Sequence, residues 1–427
     1  MDIRILYARR VRRIFVLCLA SLWALGLTGQ SLSLDSCYAM ARRNYPLVQQ
    51  FDLIEKSKAL SLENAAKGYL PQLAVNGQAT YQSEVTRLPI SFPGLNVPEL
   101  SKDQYRLFGE VNQPLTDLFF VKEQQDLIRA NAALETQKTE VELHKLRERV
   151  YQLYFGVLYM DARLEQAQLL IKDLEAGLAK VQAAVAGGVA LKSQADQLRA
   201  ELLKARQQIA ELKSGRRAYA EALGLLTRQN MDEKTVLETP AAPLPATEIR
   251  RPELAMFGAQ QQSLVQQSRL INNKTLPRLS AFFQGGYGRP ALNVLSNDFD
   301  PYFITGLRLN WNISSFYTSG NERQLLSTQQ SAIALQRETF LLNTRLAVQQ
   351  QQAEIAKWQE LIVSDGEIIL LRESVKNTAQ QQLSNGTVTT TDYLNYVNAE
   401  DLARQQLILH RMQLLLAQYN HLLTTGN

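Results

Sequence analysis

Cysteine, histidine and long apolar runs are all scarce in this chain of 427 residues, which has two cysteines and three histidines. Cys18 sits in an N-terminal apolar run that reads as a leader, so a processed chain keeps Cys37 alone and has no intrachain disulfide. His144, His410 and His421 are scattered with no partner at ligand spacing, which argues against a metal site. No nucleophile motif, phosphate loop or zinc signature appears, so the sequence points away from an enzyme and calls for no cofactor. Beyond the N-terminal run nothing approaches eighteen consecutive apolar residues, which excludes a transmembrane helix. Proline is missing from 117–186 and glycine nearly so, which removes every strong helix breaker from that stretch.

Residues 1–29 read as a secretory signal. Arg4, Arg9, Arg10, Arg12 and Arg13 form its basic front, and Ile14 to Leu27 is an apolar run with Ser21 its one hydroxyl residue. Thr28-Gly29-Gln30-Ser31 offers no clean small-x-small cleavage site, and Leu17 before Cys18 makes a poor lipid-attachment motif. The first thirteen residues carry five arginines and one aspartate, so their removal takes the formal charge from +5 to about +1. The basic balance therefore belongs to the leader, and a nucleic-acid partner loses its support. A protein exported without a helical anchor is periplasmic, secreted, or held in an outer membrane as a β-barrel.

What the chain does contain is written twice, as 30–240 and 241–427. Pro46, Pro71 and Tyr81 recur with the same spacing as Pro252, Pro277 and Tyr287. Val111-Asn112-Gln113-Pro114-Leu115 answers Leu309-Asn310-Trp311-Asn312-Ile313 at an offset of 198. Gly187 and Gly386, each followed two residues later by a valine (Val189, Val388), align at 199, as do Ala200-Glu201 and Ala399-Glu400. Pro240, Pro243 and Pro245 mark the linker.

Each copy predicts the same elements. Leu34 to Arg43 forms a short helix, and Pro46 opens a second that runs to about Gly68 and is stopped by Pro71. Beyond it the period becomes two: Leu73, Val75, Ala79 and Tyr81 face one way, Gln72, Asn76, Gln78 and Thr80 the other. After a loop with Pro89, Pro93 and Pro98, Tyr105, Leu107, Val111 and Leu115 alternate with Arg106, Glu110 and Asn112. In the second copy Leu279, Ala281, Phe283 and Tyr287 form one strand face, and Phe303, Leu307, Leu309, Trp311 and Ile313 oppose Arg308, Asn310 and Asn312. Both hairpins are aromatic at their ends, as strands anchored at membrane interfaces are.

Asp117 to Ala186 then predicts one helix of roughly 100 Å. Leu146, Leu153, Met160, Ala167, Leu174 and Val181 make one heptad series; Leu143, Val150, Val157, Leu164, Ile171, Leu178 and Val185 make a second. A turn at Gly187-Gly188 leads to a return helix ending near Leu226. The second copy runs from about Asn321 to Leu383, turns at Asn385-Gly386 and returns to Leu423, with one looser series at Leu341, Val348, Ile355, Ile362 and Ile369. The fold class is mainly α with a small β part, internally duplicated and built on long antiparallel coiled coils.

Four strands cannot close a barrel, so several chains must share one. Eight strands would leave an interior filled by side chains, whereas twelve leave room for water. Arg106, Glu110, Asn112, Arg308, Asn310 and Asn312 on one face favour the wet interior and hence three chains. Glutamine, 42 residues, crowds the helices and suits surfaces shared between neighbouring helices and water.

The duplicated plan, the Gln-Pro-Leu closing the second strand and the Gly-x-Val turn before Ala-Glu resemble the TolC family of outer-membrane efflux proteins. The resemblance implies a homotrimer with a twelve-stranded β-barrel in the outer membrane of a Gram-negative bacterium. An α-helical tunnel would cross the periplasm to meet a periplasmic adaptor and an inner-membrane transporter of RND or ABC type. It places the entrance constriction at Asp392, with Asn395 standing where the family can carry a second acidic ring. Val388 replaces a basic residue often found after the turn glycine. Gly187, Gly188, Val189, Gly386 and Val388 become the tip turns and adaptor contact, and Arg106, Glu110, Asn112, Arg308 and Asn310 the barrel lumen. The role expected is a passive exit duct of a tripartite efflux or type I secretion system. The rival is a secreted or periplasmic coiled-coil scaffold without transport activity.

Overall fold

The computed structural model describes residues 31–86 and 100–427. The leader and the prolines Pro89, Pro93 and Pro98 lie outside the described residues. Element order is α1 (Leu34–Asn44), α2 (Gln49–Ala66), β1 (Gln72–Tyr81), β2 (Asp103–Pro114), α3 (Asp117–Ala186), α4 (Lys192–Thr227), α5 (Pro252–Lys274), β3 (Arg278–Arg289), β4 (Asp300–Asn310), α6 (Ser315–Ser384) and α7 (Thr390–Thr425). The long helices repeat in length, 70 residues each for α3 and α6 and 36 each for α4 and α7. No counterpart of α1 precedes α5, where the described chain after Arg228 is irregular.

Two compact units form, each drawing on both halves of the sequence. One comprises Gln49–Val141 and Pro252–Leu342 and contains the sheet. Its four strands run antiparallel in the order β1-β2-β3-β4. Partners share parity in every ladder: Leu73 opposes Val111, Leu107 opposes Tyr287, and Leu279 opposes Leu309. Because side chains alternate along a strand, the odd-numbered residues of all four strands share one face. That face is apolar, with Leu73, Val75, Leu107, Phe303, Leu307 and Leu309 exposed. The even face carries Gln72, Arg106, Glu110, Asn112, Gln284, Arg308 and Asn310. β1 and β4 each keep one edge unpaired.

The sequence pattern extends β4 to Ile313, but the strand ends at Asn310, paired with Arg278. Trp311, Asn312 and Ile313 turn instead into α6, and the Trp311 indole donates to the Thr275 carbonyl at 3.0 Å. α6 consequently begins at Ser315, ahead of the expected Asn321.

The second unit holds the described part of Met1–Val48 with Glu142–Arg251 and Asn343–Asn427. In α3 both heptad series turn inward: Leu143, Leu146, Val150, Val157, Ala167, Leu174 and Val181 are buried. The looser α6 series is half-buried, apart from buried Ile369. The segment linking α4 to α5 is tied down by the Tyr154 hydroxyl, which donates to Leu32 O at 2.7 Å and Glu238 O at 2.6 Å. Arg216 pairs with Asp161 and donates to the Thr235 carbonyl at 2.7 Å. Among the described residues no helix is long and apolar enough to cross a membrane.

Candidate functional site

The residues singled out by sequence fall into two groups, each inside one unit. The first is the pair of turns that reverse the long helices. Gly188 N–H reaches Val185 O at 3.1 Å and Val189 N–H reaches Ala184 O at 2.9 Å. The second turn repeats this, with Gly386 N–H to Leu383 O at 3.2 Å and Thr387 N–H to Gln382 O at 3.0 Å. These are the paired bonds of a Schellman motif, which places its C′ residue in the left-handed region. Gly188 has φ +73° and Gly386 φ +67°. An added Cβ would meet nothing within 4 Å at either, so the demand for glycine is conformational.

The left-handed glycines pair at an offset of 198, the same as the helix starts Lys192 and Thr390. Gly188, rather than Gly187, is therefore the structural counterpart of Gly386. Ala200-Glu201 and Ala399-Glu400 align one residue out of structural register. Sequence similarity favoured the Gly-x-Val match; backbone conformation selects the other glycine.

Val189 lies 84% exposed at the first turn, whereas Val388 at the second is half-buried. α7 opens on an N-cap: the Thr389 hydroxyl accepts from Asp392 N–H at 3.2 Å and donates to the Asp392 carboxylate at 2.6 Å. Thr389 thus caps the helix, its hydroxyl holding the exposed Asp392 carboxylate, and Asn395, also exposed, follows one turn later. Thr391 Oγ1 donates to Gln197 Oε1 at 3.3 Å, joining the first turn of α7 to the second turn of α4.

Behind the turns, one core draws on both hairpins. Leu170, Leu174 and Val181 of α3, Leu198, Leu202 and Ala205 of α4, Ala379 of α6 and Tyr393, Leu394 and Val397 of α7 pack together. Beside it lies a charge network that the sequence reading missed. Glu400, 3% exposed, accepts from Arg404 and from Lys376 at 3.4 Å. Lys376 also reaches Asp173 at 2.7 Å, and Arg404 reaches Glu373 at 3.1 Å. Burial disfavours the Lys376 ammonium, yet the bonds and charges of Asp173 and Glu400 prevail and hold its pKa above the usual lysine value. Next to it, burial raises the Asp401 pKa although Gln166 and Gln405 donate to its carboxylate at 2.9 and 2.6 Å. The i, i+4 spacing of Glu400 and Arg404 was visible in sequence; their partners on α3 and α6 were not.

The second group is the polar face of the sheet. Glu110 accepts from Gln284 at 2.7 Å and from Arg308 at 2.9 Å, and the Arg308 guanidinium lies 4.5 Å from the centre of the Phe282 ring. Asn112 and Asn310 share this face. Arg106 stands elsewhere on it, opposite Gln78 and Gly288. The structure therefore joins Glu110 to Arg308 and keeps Arg106 out of that pair. On the apolar face, Tyr105 and Tyr287 stack on Phe299 at 6.2 and 5.7 Å, while Trp311 and Phe316 meet at 6.3 Å near the helices.

No family model and no curated protein matches this sequence. Solved structures do. The outer membrane protein VceC of Vibrio cholerae aligns with TM-score 0.67 at 12% identity, over 92% of this chain and 96% of its own. CusC, a transmembrane channel, gives 0.69 at 14% over 92% of both chains. The open-state MtrE outer membrane channel of Neisseria gonorrhoeae gives 0.66 at 15%, over 92% of this chain and 89% of its own. At 12% to 15% identity the likeness establishes the fold alone, and this chain shares the fold of these solved outer-membrane channels.

Proposed function

We propose that three copies of this chain form a passive channel in the outer membrane of a Gram-negative bacterium. The observation that carries this reading is the sheet, which has one mostly apolar face, an opposite face that carries Gln72, Arg106, Glu110, Asn112, Gln284, Arg308 and Asn310, and two unpaired edges. In water the apolar face and open edges are liabilities; in a membrane an open sheet is excluded as well. Closure by further copies removes both edges, turns the apolar face to lipid and leaves the polar face around an aqueous lumen. Twelve strands from three chains match a water-filled interior. The exposed Leu335, Leu342, Leu346, Val363 and Leu370 of α6 supply apolar surface for contact between copies. Because the solved relatives are channels, a periplasmic adaptor and an inner-membrane transporter of RND or ABC type are the expected partners. The turns would meet the adaptor, with Asp392 and Asn395 at the entrance.

The test is the protein mass of the mature chain extracted from the outer-membrane fraction, by light scattering with detergent subtracted. Three chains that conduct ions in a planar bilayer support the channel. A detergent-free soluble monomer or dimer would replace it with a scaffold.

A further inference from the structure

Where the sheet meets the helices, its polar face hollows into a cavity of about 600 Å³. Its wall includes three cations, Lys274, Arg278 and Arg308, against a single carboxylate, Asp117. The amides Asn112, Asn310 and Asn312 complete a lining rich in donors.

Each cation has an acidic neighbour, yet none is used up. Arg308 gives one guanidinium nitrogen to Glu110, which lies outside the wall and is also held by Gln284. Lys274 spends one of its three donors on Glu322, which takes a second bond from Thr318. Arg278 stands 3.8 Å from Asp117, beyond hydrogen-bond reach. Glu110 and Glu322, both outside the wall, are thus well satisfied, whereas Asp117 Oδ1 and Asn112 Oδ1 in the wall have no hydrogen-bond partner, and the three cations keep N–H groups that these bonds do not use. The cavity also lies where the two 70-residue helices begin, at Asp117 and Ser315, both in its lining. Their N-terminal dipole ends add positive potential there.

We infer that this cavity binds small anions and gives the lumen a preference for anionic solutes bearing carboxylate or phosphate groups. The inference rests on the channel reading. Three chains would set nine such cations around the barrel's inner end.

Wild-type chain, purified as the detergent-solubilised assembly, is inserted in planar bilayers under a KCl gradient, and reversal potential and conductance are read with and without inorganic phosphate. The same is done for Lys274→Gln/Arg278→Gln and for Arg278→Glu, substitutions at exposed side chains that leave the Glu110–Arg308 pair intact. Wild type is expected to prefer chloride and to lose conductance as phosphate is added. The double variant should reduce the chloride-to-potassium permeability ratio by about threefold or more, and Arg278→Glu should reverse the preference. A conducting channel whose selectivity and phosphate response are the same in all three proteins overturns the anion site and leaves the channel standing. A folded assembly with no conductance overturns the channel reading itself, and the anion site with it.

Discussion

At the scale of single residues, backbone conformation and burial decide most outcomes. Gly386 sits at φ +67° with open space where a side chain would go. Gly386→Ala should therefore cost about 1 kcal/mol from the left-handed conformation alone. Gly386→Pro should cost more, since it also removes the bond to Leu383 and fixes φ at a negative value. Thermal unfolding followed by circular dichroism should rank the two, with light scattering still reporting three chains for Gly386→Pro. Loss of the trimer would place this turn somewhere other than the tip.

His421 is buried, and burial lowers its pKa below the ordinary 6.5. The unfolded chain then binds the proton more readily than the fold does. The stability His421 contributes is present above about pH 6.5 and is lost as pH falls through the depressed folded pKa. Between pH 7 and pH 5 the melting temperature should drop, and His421→Gln should shrink that drop. An unchanged drop would show that other groups govern it.

At the scale of elements, the hairpins α3–α4 and α6–α7 are joined by a shared apolar core and by the charges around Glu400. Removing one member of a buried ion pair costs about 3–5 kcal/mol when the partner is stranded. Here Lys376 keeps Asp173 and Arg404 keeps Glu373, so Glu400→Ala should cost less, about 2 kcal/mol. Glu400→Gln should lose less still, because the amide retains an acceptor. Chemical denaturation of the three proteins would check the order. Equal losses would mean that packing, rather than charge, links the hairpins at this point.

At the scale of the whole molecule, the assignment of the two sheet faces carries the functional reading. Leu107 lies on the apolar face and Arg106 on the polar one, adjacent in sequence and on opposite sides of the sheet. Leu107→Arg should destabilise membrane insertion by about 2–4 kcal/mol if it falls near mid-bilayer. Arg106→Leu should leave insertion intact and alter only the lumen. Yield from the outer-membrane fraction reads both. Equal yields would mean that the faces have been assigned to the wrong solvents.

The sequence by itself determined the elements: the 70-residue α3 without proline, the period-two strands with their polar and apolar faces, and the turns at Gly187-Gly188 and Asn385-Gly386. These follow from local chemistry, because breakers, periodicity and left-handed conformations act within a few residues. The Gly187–Gly386 alignment and the reach of β4 came out one and three residues wrong. Similarity does not reveal which glycine has positive φ, and alternation does not reveal where the chain leaves the sheet, as it does at Trp311, whose indole bonds the Thr275 carbonyl. The Glu110–Arg308–Phe282 grouping, the Lys376–Asp173 and Lys376–Glu400 pairs and the basic hollow at Arg278 were decided only by tertiary structure. Each brings together side chains from different strands or helices, and sequence spacing does not encode which residues meet across elements.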